Sequence, residues 1–235
     1  MDAETRKLAA EARDLLSKGL YGPAMDRAKE VLDESPDEST RADMHGICAI
    51  GLAGTGKNAE AVVQAEKCLA VHPDRADVLS ARGWALHMTG KTTEALKDLE
   101  RSSLLDPSQA ETHYRLGIAF MEFDLWEEAE SAFTFAMDLF DDSDRQAEAC
   151  YNRAKCREGS GLFEEAMADY DMAFGLGYQQ AIHDLMRLKE KYSPADSSED
   201  YLGDDDYYDN DGDYSGNEDY EGGGIDDYED RDDDW

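Results

Sequence analysis

Apolar residues recur at helical spacing from about residue 4 to residue 192, broken at short polar or glycine-containing positions, and no stretch alternates in the manner of a strand. The pattern predicts paired helices over 4–18 and 21–34, 38–54 and 58–71, 75–89 and 92–105, 109–123 and 126–140, and 145–160 and 163–175. A last amphipathic segment follows, in which Ala181, Ile182, Leu185, Met186 and Leu188 line one side and Asp184, Arg187, Lys189, Glu190 and Lys191 stay polar. Ser108 with Glu111 reads as a capping box ahead of the fourth pair, and Asp74 as an N-cap ahead of the third.

The pairs repeat. Ala24, Ala61, Ala95, Ala129 and Ala166 stand at intervals of 37, 34, 34 and 37 residues, and five residues before each lies a turn position: Gly19, Gly56, Gly90, Asp124 and Gly161. Pro36, Pro73 and Pro107 follow the first three alanines by 12 residues, where a second helix has to stop. The opening helix of each pair carries one small residue, namely Ala12, Ala49, Gly83, Gly117 and Ala154. Ala28, Ala65, Leu99, Phe133 and Tyr170 follow the alanines by four residues and share their face. Each unit is therefore a helical hairpin whose two helices approach closely.

This arrangement resembles the tetratricopeptide repeat, over about residues 4 to 178 and most sharply in HYRLGIAFMEFDLWEEAESAFTFAM, where Leu116, Gly117, Phe120, Trp126, Ala129, Phe133 and Ala136 keep the family's order and spacing. Asp141 and Tyr178 stand where the closing proline is expected in the last two units. The resemblance implies an all-α, right-handed superhelical solenoid: five hairpins over 1–178, a capping helix over 179–192, and beyond it the segment 193–235.

Charge separates that last segment from the rest. The 235 residues carry a net charge of −33. Residues 193–235 alone hold 19 acids against one base, among glycines and tyrosines, so repulsion and backbone entropy oppose burial and the segment is expected to be a disordered acidic tail. So large an acid excess disfavours nucleic acid as a partner. No apolar run approaches the roughly 18 residues of a membrane span, and the four cysteines, Cys48, Cys68, Cys150 and Cys156, lack paired metal or disulfide spacing. A cytoplasmic protein without membrane contact is the expectation.

Two motifs imitate chemistry. GLAGTGKN, residues 51–58, nearly spells a phosphate-binding loop, but it joins two predicted helices and Asn58 fills the hydroxyl position. A nucleotide-binding enzyme using Lys57 is thus the weakest reading. Asp209, Asp211 and Asp213 begin like a calcium loop, yet Tyr214 takes the glycine position and Tyr220 the final acid's. The five histidines have no ligand spacing, and no nucleophile has an evident base. Neither a catalytic group, a metal site nor a cofactor is assigned.

In the family, opening helices line a concave groove that takes ligands, and the resemblance projects onto it Ile50, Trp84, His87, Met88, Tyr114, Ile118, Met121, Tyr151 and Lys155. The Lys, Asn, Asn, Lys and Arg clamp with which many relatives hold acidic chaperone tails is missing, with isolated matches such as Arg13, Arg115 and Asn152. The stripe suits a protein or peptide ligand, as an amphipathic helix or extended segment, although Trp84 and its neighbours equally suit packing between helices. The tail suits holding or steering a basic protein. The function expected is a non-enzymatic interaction scaffold, with a dedicated chaperone or escort factor for a basic or assembling client as the alternative. A further reading docks the tail's own tyrosines in the groove.

Overall fold

One backbone conformation sets the break inside every hairpin. Gly19, Gly56, Gly90 and Gly161 hold φ between +71° and +79°, and Asp124 holds +56°, so each predicted turn position is left-handed. There the first helix closes with two reversed hydrogen bonds, as in Gly90 N–H to His87 O and Lys91 N–H to Leu86 O, both 2.9 Å. Asp124 is the non-glycine among them, tolerated because a short unbranched substituent presses on the following carbonyl less than a branched one would.

The structure, a computed structural model, describes residues 2–34 and 36–192. The turns join α1 (Ala3–Ser17) to α2 (Tyr21–Asp33), α3 (Glu38–Gly54) to α4 (Asn58–Leu69), α5 (Ala76–Met88) to α6 (Thr92–Leu105), α7 (Ala110–Met121) to α8 (Trp126–Leu139) and α9 (Ser143–Gly159) to α10 (Phe163–Gly175), with α11 (Ala181–Tyr192) following. The boundaries lie within two residues of those the apolar pattern predicts for the five pairs. Pro36, Pro73 and Pro107 each fall between one hairpin and the next. The segment 193–235, with its expected disorder and the decoy Asp209, Asp211 and Asp213, lies outside the described residues.

Two expected caps do not form. Helix α5 starts after Arg75 with no side-chain cap, and Asp74 pairs with Arg101 instead. Helix α7 starts after Gln109, also uncapped; Ser108 Oγ donates to Asp106 Oδ1 at 2.6 Å, and Glu111 is taken by Arg115 and Arg145 at 3.2 and 2.6 Å. Charge-assisted bonds to arginine outcompete the weaker bonds to a helix N-terminus. The caps that do form are Asp2 on Thr5 N–H (2.8 Å), Asp37 on Thr40 N–H (3.0 Å) and Asp142 on Asp144 N–H (2.8 Å).

Within each hairpin the closest approach is a matched pair of volumes. Gly83 faces Leu99 and Gly117 faces Phe133: a Cβ on either glycine would come within 2.7 Å of the opposing side chain. In the first two units alanine faces alanine, Ala12 with Ala28 and Ala49 with Ala65, all buried. Beside this crossing, three units add a charged clip. Arg82 holds Asp98 with two nitrogens (2.7 and 2.8 Å), Arg153 holds Asp169 likewise (both 2.8 Å), and Arg27 meets Glu11 at 3.4 Å.

Hairpins then stack. Helix α1 packs on α3, α3 on α5, α5 on α7 and α7 on α9, whereas even-numbered helices have no comparable contact with one another. The odd helices are therefore the crowded inner layer of a curved solenoid. Helix α11 repeats an opening helix: Tyr151 hydroxyl donates to Asp184 at 2.8 Å as Tyr114 hydroxyl donates to Glu148 at 2.7 Å. Six residues after Asp184, where Gly117 and Ala154 have their counterparts, stands exposed Glu190. Among the described residues no second helix presses there.

The pairing predicts specific losses. Gly117→Ala should lower stability in a urea melt by about 2 kcal/mol through overpacking against Phe133, with part of the loss recovered by adding Phe133→Leu. Gly175→Ala, which meets no atom within 4 Å, is the neutral control. Asp169 is 2% exposed and neutralises Arg153 and Arg157 together. Its replacement by Asn should cost roughly 3 kcal/mol, because the largely buried Arg153 guanidinium loses its counter-charge, whereas Arg157 keeps Glu130 at 2.8 Å.

Candidate partner-binding groove

The nine residues projected from sequence fall on α3, α5, α7 and α9, the consecutive inner helices. Their exposure differs widely. Met88 is 52% exposed and Lys155 also faces solvent; Ile50, Trp84, His87, Ile118, Met121 and Tyr151 are half-buried; Tyr114 is buried at 7%. Ile50 packs on the core beneath α3, and Ile118 and Met121 on the one beneath α7, each leaving part of its surface to the groove.

Trp84 and His87 form a stacked pair at 5.4 Å, and His87 Nδ1 lies 3.2 Å from Glu122 Oε2. Glu122 also takes the Thr92 hydroxyl. His87 is thus engaged between an aromatic face and a carboxylate. Tyr114 is a joint between units more than a contact surface: its ring meets Phe133 and Phe140 edge-on, Arg145 lies 4.5 Å from its centroid, and burial followed by the Glu148 hydrogen bond raises its pKa. Tyr151 has the same role with more of its ring open. It rests 4.6 Å from Tyr178, and burial, then the Asp184 bond, push its pKa up to about 12. Lys155 Nζ stands 5.6 Å from the Tyr151 ring, above a depression of about 460 Å³ that Glu158, Asp184 and Arg187 also line.

The groove also carries an ionic rail that the repeat pattern alone does not reveal. Asp43, Asp77, Glu111, Glu148 and Asp184 recur near the start of successive inner helices, each held by arginine. Asp43 takes Arg13 and Arg75 (both 2.9 Å), Asp77 takes Arg75 (2.7 Å), Glu111 takes Arg115 and Arg145, Glu148 takes Arg145 (2.5 Å), and Asp184 takes Arg187 (3.1 Å). The acids recur at intervals of 34 to 37 residues, a signal available from sequence. Some arginines are sequence neighbours of their acids, as Arg145 is of Glu148 and Arg187 of Asp184, and stacking adds the pairs across units, Asp43 with Arg13 and Arg75 and Glu111 with Arg145. In a protein of net charge −33, the groove floor is close to charge balance.

The phosphate-loop imitation resolves as a hairpin turn. Gly56 and Lys57 N–H groups point back to Ala53 and Leu52 carbonyls at 3.2 and 2.9 Å. Those amides are spent on closing α3, so they are not aimed outward as a phosphate cradle requires. Among the described residues no group of His, Cys, Asp and Glu has a metal-binding arrangement, and no helix is long and apolar enough to cross a membrane.

Comparison with known proteins gives the same pattern. A tetratricopeptide repeat family model matches residues 49–112, two of the hairpin-to-hairpin junctions seen in the structure. Over residues 49–112 the chain carries tetratricopeptide repeats. It is 32% identical over 123 residues to human "Tetratricopeptide repeat protein 13", covering 51% of this chain but 14% of that one, so the chain spans about one seventh of that relative. Among solved structures, MamA aligns with a TM-score of 0.57 at 19% identity, covering 83% of this chain and 98% of that one. YrrB, described as a TPR protein with an unusual peptide-binding site, aligns at 0.58 and 21% identity, covering 75% and 89%. At those identities the likeness shows the fold.

The repeat protein's titrating groups predict a stability window. Hydrogen bonds from Arg187 hold Glu158 below the usual carboxylate range, and the Thr40 backbone does the same for Asp37. Such carboxylates stabilise the fold above their unfolded values near ~4 and stop doing so as pH falls through the folded values. Burial pushes the Cys68 and Cys150 thiols up to about 11 and Cys156 up to about 12. Their contribution is full below an unfolded value near ~8.5 and is lost as pH rises through the folded ones. Unfolding free energy should be flat between roughly pH 5 and 8 and fall on both sides. Glu158→Gln should make the acid limb shallower and Cys156→Ala the alkaline limb.

Proposed function

We propose that this protein is a non-catalytic, cytoplasmic scaffold that seats a peptide or short helix of a partner protein along the inner face of α3, α5, α7 and α9. The observation that carries the reading is the run of partly exposed apolar side chains, Ile50, Trp84, Met88, Ile118 and Met121, over a charge-balanced floor. Such a run supplies apolar anchors, while the paired charges oppose non-specific attraction of any strongly charged segment. YrrB's described peptide-binding site, on a fold of the same kind, supports a peptide as ligand. The tail adds a second reading, in which 19 acids against one base over 193–235 hold or steer a basic client and the protein acts as its escort.

Affinity capture from a lysate of the native source separates these. Full-length protein, Met88→Glu and residues 1–192 are compared at low and moderate salt. A groove ligand should survive added salt and removal of 193–235, and fall at least tenfold with Met88→Glu, which places a charge on an exposed apolar anchor. An electrostatically held client should vanish with the tail and with salt. Partners indifferent to all three changes would refute both readings.

A further inference from the structure

The outer surface of the last two hairpins carries a pattern that the groove does not use. Glu128, Phe135 and Leu139 on α8 are matched 37 residues later by Glu165, Met172 and Leu176 on α10 and at its end. Steps of seven and four residues put each set on one face of its helix. Phe135 is 58% and Met172 48% exposed, although both are large and apolar. At the same repeat position the three preceding hairpins carry Glu30, Lys67 and Arg101, the polar choice that a solvated face calls for. The change to an apolar side chain is confined to α8 and α10.

Phe135 is held in place on one side. Its ring lies 5.5 Å from that of His113 on α7, and His113 Nε2 is 2.9 Å from the Pro107 carbonyl oxygen. A ring fixed on one side and open on the other is a pre-ordered anchor, which a partner can use at little cost in entropy.

Charge says what fits over it. Helices α8 and α10 hold four acids each and no lysine or arginine. Glu130 and Asp169 pair with Arg157 and Arg153 of α9. Glu127, Glu128, Asp138, Glu164, Glu165 and Asp171 stay exposed, and none meets a base among the described residues. An apolar strip fringed by unpaired carboxylates disfavours nucleic acid, anionic lipid and a second copy of this chain, whose own net charge is −33. It favours a segment whose apolar residues are fringed by bases.

We infer that the outer face of α8 and α10 docks a basic amphipathic segment of another protein, its apolar side on Phe135 and Met172 and its lysines or arginines on the flanking carboxylates. This face belongs to the outer helices, so it stands whether or not the groove takes a peptide. It also differs from a client held by residues 193–235 alone, because it requires fixed apolar anchors.

Sixteen-residue peptides displayed on phage test this, selected on the full-length protein after depletion on its Phe135→Ser, Met172→Ser double variant. Depletion removes whatever the groove or residues 193–235 bind. Enriched sequences should combine apolar residues with lysine or arginine, and synthetic copies should bind the parent at least tenfold more tightly than the double variant. Met88→Glu should leave that affinity unchanged; a ligand weakened by it lies in the groove and overturns the outer site. Replacing Glu128 and Glu165 by lysine should weaken the basic peptides and strengthen copies remade with glutamate for each base. Both glutamates are exposed and unpaired, so this exchange decides the matter even if the serine variant fails to fold. Enriched peptides without bases, or indifferent to the exchange, overturn the basic partner. If no sequence separates parent from variants, the docking face is overturned. A concentration-dependent dimer in sedimentation that Phe135→Ser abolishes puts a second copy there instead and overturns the proposal.

Discussion

The distance between the two helices of each hairpin governs everything else in this solenoid. That distance is set where a small residue on the first helix meets its opposite number on the second, with alanine on alanine in the first two units, glycine beneath a large side chain in the next two, and Ala154 against Tyr170 in the fifth. Gly83 under Leu99 and Gly117 under Phe133 leave no room for even a methyl group. Interiors packed to this density transmit a displacement to their neighbours rather than absorbing it. A wider hairpin would tilt its opening helix and move the groove residues it carries.

Charge is distributed with the same economy. The excess of acid lies outside the groove, in the tail sequence and on exposed positions such as Glu127, Glu128, Glu164 and Glu165. The inner acids are each bridged by arginine, often across a unit boundary, as Arg145 spans Glu111 and Glu148. These bridges do two jobs: they lock successive inner helices in register, and they keep the binding face from repelling every acidic ligand.

Function in such a molecule belongs to a surface. The inner helices present a half-buried aromatic pair and exposed and half-exposed methionines within one or two units. The hairpin turns, by contrast, spend their backbone amides on closing helices, which removes the phosphate-loop reading of residues 51–58.

The sequence by itself determined the hairpins. Helical periodicity, left-handed turn positions and small residues at the crossing all act within one unit, over separations of about a dozen residues, so they are readable in order along the polypeptide. Asp124 was legible as a turn from its register alone. The caps expected at Asp74 and Ser108 fail because Arg101, from another helix, takes Asp74, while Asp106 takes the Ser108 hydroxyl and Arg115 and Arg145 take Glu111. Only the tertiary structure decided which groove residues face outward, why Tyr114 is buried in a joint while Met88 is exposed, and which arginine meets which acid across units. Those outcomes depend on how residues 32 to 37 positions apart superpose when units stack, as in Thr112 on Ser80, Arg145 on Glu111 and Tyr114 on Glu148. Local periodicity fixes the face of a helix, but exposure on that face is set by the neighbour that covers it.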